Sequence, residues 1–112
     1  MAIRMDKPWR ALDDAAIKSL SGQLGIYQIA DAQDQIIFIG FAGGRSLFGL
    51  RGELQAQKDA RADAGVKFRV EVNMAYQTRY RELLMVYKAD HGDLPLDNRA
   101  DPPPNLGRLS PA

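Results

Sequence analysis

The chain has 112 residues, 46% of them apolar and 26% charged, which fits one ordinary globular domain and excludes long disorder, a fibrous repeat or two separate cores. Fifteen Lys and Arg against fourteen Asp and Glu leave a net charge of +1, which excludes polybasic binding of nucleic acid but not a local basic face. There is no cysteine and one histidine, so disulfides, thiolate zinc sites, a cysteine nucleophile and any site needing two imidazoles from one chain are excluded as well. No apolar run approaches the roughly 20 residues needed to span a bilayer, and residues 1–10 lack an apolar export segment, so the expectation is a cytoplasmic protein without membrane partners.

Leu12, Ala15, Ala16 and Leu20 recur at helical spacing and predict a short helix over residues 11–20, stopped by Gly22. Residues 24–30 and 35–40 are rich in strand formers and flank a polar turn at 31–34, the pattern of a β-hairpin. Five glycines follow within 13 residues: Gly40, Gly43, Gly44, Gly49 and Gly52. They lack the Gly-Lys-Ser/Thr ending of a nucleotide-binding loop, and their role is to let the chain turn tightly. A helix is expected over 46–62 with Leu47, Leu50 and Leu54 on one stripe.

Val66, Phe68, Val70, Val72 and Met74 alternate with Lys67, Arg69, Glu71 and Asn73, which predicts a strand with one wet face. Thr78 is placed to cap a last helix running to about Asp90, with Leu83, Val86 and Tyr87 as its core stripe and Gly92 as its stop. His91 sits where a cation favours the helix dipole. The order helix, strand, strand, helix, strand, helix predicts a small α/β (α+β) sandwich with a three-stranded sheet. Five of the six prolines lie at or beyond Pro95, so the chain divides into an N-terminal helical extension (1–23), a domain (24–98) and a proline-rich tail (99–112).

Charge is uneven. Residues 41–81 carry eight basic and four acidic side chains, the basic ones being Arg45, Arg51, Lys58, Arg61, Lys67, Arg69, Arg79 and Arg81. They are candidates for an anion-binding or nucleic-acid-binding face, against the plainer reading of a solvated surface. Trp9, Phe41 and Phe48 are candidates to stack on bases, against ordinary packing.

Gly25-Ile-Tyr27 on the first strand of the hairpin and Phe38-Ile-Gly40 on the second resemble the paired motifs of the GIY-YIG endonuclease domain, with Tyr27 and Phe38 11 residues apart. Leu47-Phe-Gly-Leu-Arg51, Glu82-Leu-Leu-Met-Val86 and Pro95-Leu-Asp-Asn98 fit its later motifs in order, so the resemblance runs over residues 24–98. It implies hydrolysis of DNA phosphodiesters with one divalent metal, Mg²⁺ or Mn²⁺. Tyr27 would help to activate water, Arg51 would neutralise the phosphoryl group and Glu82 would hold the metal. Phe38, Gly40, Arg45 and Asn98 would form the substrate-binding surroundings. The sequence departs from the pattern in three places: Phe38 stands where the family has a second tyrosine, Phe41 follows the motif where the family often has Lys or another polar residue, and counting back from Asn98 puts Val86 rather than Glu82 at the metal position. The alternative on the same fold is a domain that binds nucleic acid or another protein without cutting. A nuclease built from this domain alone is expected to dimerise or to work with a partner protein.

Overall fold

The computed structural model describes residues 4–61, 65–100 and 103. In chain order the elements are β1 (Arg10–Ala11), α1 (Asp14–Lys18), β2 (Gly25–Ala30), β3 (Ile36–Ala42), α2 (Gly49–Ala60), β4 (Lys67–Val72) and α3 (Tyr76–His91), followed by a 3₁₀ turn at Leu96–Asn98. The fold is α+β. The four strands form one sheet in the order β1-β4-β2-β3, every neighbouring pair antiparallel. The expected hairpin and third strand are present, with β2 at the centre. β1 adds a two-residue fourth strand, too short to show any periodicity in the sequence.

Local chemistry sets the turns. Asp31 Oδ1 accepts hydrogen bonds from the backbone N–H groups of Gln33 and Gln35, and Asp34 takes a left-handed conformation with φ 64°, so the hairpin reverses on an Asx turn. Asp13 caps α1 by accepting from the Ala16 N–H at 2.8 Å. α3 starts at Tyr76 rather than at the predicted cap Thr78: Asn73 Oδ1 accepts from the Ala75 N–H and turns the chain two residues earlier. Gly92 ends α3 in the left-handed region (φ 84°), as its position predicted.

Each face of the sheet carries its own core. On one face α1 and α2 pack Ile17, Leu50 and Leu54 against Tyr27, Ile29 and Phe68; on the other α3 packs Leu83 and Leu84 against Ile26 and Ile39. Burying Leu54, Phe68 and Leu84 stabilises the fold by roughly 1.5–3 kcal/mol apiece. Residues before 24 belong to this body: β1 pairs with β4, Ile17 lies in one core and Met5 in the other. Of the predicted tail, residues 101, 102 and 104–112 lie outside the described residues. No helix among the described residues is long and apolar enough to cross a membrane.

β3 is an edge strand, and the chain closes part of its edge. Asn98 Oδ1 accepts from the Ile39 N–H at 2.8 Å, and Asn98 Nδ2 donates to the Ile39 carbonyl at 2.9 Å. This side chain, placed by the sequence among the substrate-binding residues, holds the 3₁₀ turn against the strand.

Candidate functional site

A cleft of about 810 Å³ crosses the edge of β3. Tyr27, Phe38 and Gly40 line it from the hairpin, Phe41 from the other face of β3, Gly43 to Ser46 from the glycine-rich loop, Glu53 from α2, and Tyr76, Gln77 and Tyr80 from α3.

The motif glycines are explained by packing. Tyr27 faces Gly40 across the hairpin, and a Cβ on Gly40 would lie 2.4 Å from Tyr27 Cζ and 2.8 Å from the Phe38 ring. A Cβ on Gly25 would lie 2.1 Å from the Glu71 carbonyl oxygen on β4. Both positions therefore need glycine for close approach, whatever chemistry the cleft performs. Gly40→Ala is expected to displace the Tyr27 ring and lower the unfolding free energy by about 1–3 kcal/mol, read by urea denaturation. An unchanged midpoint would refute this account of Gly40.

Tyr27 is 2% exposed. Burial pushes its phenol well above the ordinary tyrosine range; the hydrogen bond from Gln57 and the charge of Arg61 pull it down, the charge of Glu53 pushes it up, and the net shift is upward. Burial thus favours the protonated hydroxyl, which takes part in a hydrogen-bond network. Gln57 Nε2 donates to it at 3.2 Å, Arg61 Nε donates to Gln57 Oε1 at 3.1 Å, and Arg61 Nη1 pairs with Asp97 at 2.7 Å. The Arg61 guanidinium also lies over the Phe38 ring, 5.7 Å from its centroid, so Phe38 packs against the network instead of extending it. At the other side of the cleft Phe41 stacks on Tyr76, with centroids 5.6 Å apart and planes 14° apart, and meets Tyr80 at 4.9 Å. The Gly44 N–H donates to the Tyr76 hydroxyl at 3.1 Å, which ties the glycine-rich loop to α3.

Tyr27, Phe38, Gly40 and Arg45 thus share one cleft. Arg51 lines a different groove, between α1 and α2, and Glu82 lies in a third place beside Glu71 and Arg79. Val86, the alternative in the metal register, is buried at 3% exposure. Glu82 is a poor fit for a divalent ion, because its carboxylate is ion-paired to Arg79, which Glu71 also engages at 2.9 Å. Among the described residues no three of His, Cys, Asp and Glu cluster as a metal-binding group.

The basic segment does not gather on the cleft either. Lys58 pairs with Asp14, Arg61 with Asp97, Lys67 with Asp34 and Arg79 with Glu71 and Glu82, while Arg69 lies over Trp9 at 4.1 Å. Arg45, exposed on the loop, is the segment's contribution to the cleft lining.

Residues 3–90 match the family model described as "Domain of unknown function (DUF7508)". The chain belongs to this family. The match includes every residue that lines the cleft and the N-terminal segment that completes the sheet. Searches of curated proteins and of solved structures gave no match.

In this DUF7508 domain, sequence reasoning missed Glu53, Tyr76, Tyr80 and Gln57. Helical phase held the signal for each. Tyr76 and Tyr80 are four residues apart on α3, and Glu53 and Gln57 lie three and seven residues beyond the buried Leu50 on α2.

Proposed function

We propose that this DUF7508 domain is a GIY-YIG-like module that binds nucleic acid in the Tyr27 cleft without cutting it. One observation carries the reading: Tyr27, Phe38, Gly40 and Arg45 line a common cleft with the Phe41–Tyr76 stack, while Arg51 and Glu82 lie outside it. The chemistry suits a nucleotide strand. Arg45 supplies a cation for phosphate, Tyr76 and Phe41 supply ring faces against which a base stacks, and Glu53 supplies an acceptor for base amino groups. The order of elements and the cross-strand Tyr27–Gly40 pair support kinship with the GIY-YIG fold.

Hydrolysis with Mg²⁺ or Mn²⁺ would need Tyr27, Arg51 and Glu82 around one phosphate, and the arrangement favours binding alone. Titration of a fluorescent DNA oligonucleotide, followed by anisotropy, tests the reading. Wild type is expected to bind with affinity that falls as salt rises. Arg45→Ala should weaken binding by about tenfold and reduce the salt slope by about one unit. Binding that ignores both salt and Arg45→Ala would contradict it.

A further inference from the structure

We propose that the face shared by α1 and the start of α2 is a self-association surface, on which a second copy of this chain docks through Leu47 and Phe48. A groove of about 710 Å³ lies on this face, lined by Ile17, Gly52 and Ala56 with the two projecting side chains at hand. Leu47 is 75% exposed and Phe48 70% exposed, adjacent in sequence and both outside the two cores. Large apolar side chains grouped this way on a surface mark a contact site.

The backbone supplies an independent observation. Phe48 sits at φ 64°, in the left-handed region, where a side chain is disfavoured and glycine is not. Its ring recovers little of that cost in the single chain, since most of it faces solvent. Burial of the ring against another molecule would recover it.

Two features select a second copy as the occupant. The projecting residues and the groove occupy the same face, so each copy offers a knob and a hole, as a twofold interface requires. The charges around the groove are of both signs: Asp59 stands with Lys18 and Arg51, and Asp14 is paired with Lys58 of its own chain. A copy turned by a twofold can set acids against bases, whereas a strongly charged partner would gain nothing from this rim.

Sedimentation velocity from micromolar to millimolar concentration tests the proposal, on wild type, Phe48→Gly and Leu47→Ser. Wild type should form a concentration-dependent dimer. Phe48→Gly keeps the left-handed backbone, so it should melt no lower than the wild-type monomer while its dimer dissociates at least about tenfold more readily. Leu47→Ser should weaken the dimer similarly. A wild-type chain that stays monomeric throughout would overturn the proposal and leave the groove to a different protein. A dimer indifferent to both substitutions would overturn it too, by placing the contact elsewhere.

Discussion

Asn98→Ala is expected to lower the unfolding free energy by about 2–4 kcal/mol, the effect of stranding two buried backbone groups at once. Asn98 is 4% exposed and Ile39, whose N–H and carbonyl it satisfies, is wholly buried. Alanine cannot reach either group. Asn98→Asp separates the two contacts. It keeps an acceptor for the Ile39 N–H but sets a carboxylate oxygen against the Ile39 carbonyl, so it should be at least as damaging. Urea denaturation gives the test: the midpoint should fall in both variants with the slope unchanged. The loss should also bare the β3 edge and make the variants more prone to associate. An Asn98→Ala midpoint equal to wild type would mean that the turn at Leu96–Asn98 is held by other contacts.

Arg79→Met is expected to cost about 2–4 kcal/mol at neutral pH. Arg79 is 9% exposed, and it holds Glu71 and Glu82 together from β4 and α3. Methionine fills the space without the charge and leaves two half-buried carboxylates facing each other. The deficit should depend on pH, with a definite sign. In wild type burial pushes the Glu71 carboxyl up, but the hydrogen bonds from Arg79 and Asn73 and the Arg79 charge outweigh it, so the group lies below the ordinary carboxylate range. Its contribution is therefore present above the unfolded pKa and lost as pH falls through the folded value. In the variant burial and like charge act unopposed by Arg79, the carboxyl rises above its unfolded value, and acid stabilises by protonating it. The gap between variant and wild type should consequently narrow on acidification into the carboxylate range, measured by urea denaturation across pH. A gap that stays constant would mean that the Glu71–Arg79–Glu82 cluster contributes no linked protonation.

Much of the architecture was legible in the residues. The alternation of β4, the two apolar runs of the hairpin and the Gly92 stop gave strands and helix ends close to those observed, because each is a local signal. The site was harder for reasons tied to phase. The expected stripe began at Leu47, but Phe48 and Gly49 both have positive φ and the helix begins at Gly49. The true face runs through Leu50, Leu54 and Gln57, and Arg51 turns towards α1. Glu82 is paired to Arg79 one turn earlier on α3; the second carboxylate, Glu71, lies only eight residues before Arg79 but on a different element, β4. Pairing between elements leaves no periodic trace. The Asp97–Arg61–Gln57–Tyr27 network joins three elements in the same way.

The central claim is a cleft that holds nucleic acid and does not cut it. The most direct measurement incubates the wild-type protein with labelled single-stranded and branched DNA, with Mg²⁺ or Mn²⁺ and with EDTA, beside Glu82→Ala and Arg45→Ala. The account predicts intact DNA throughout, with gel-shifted complexes that persist in EDTA and in Glu82→Ala and weaken in Arg45→Ala. Metal-dependent cleavage that disappears in Glu82→Ala would contradict it and make the domain a nuclease.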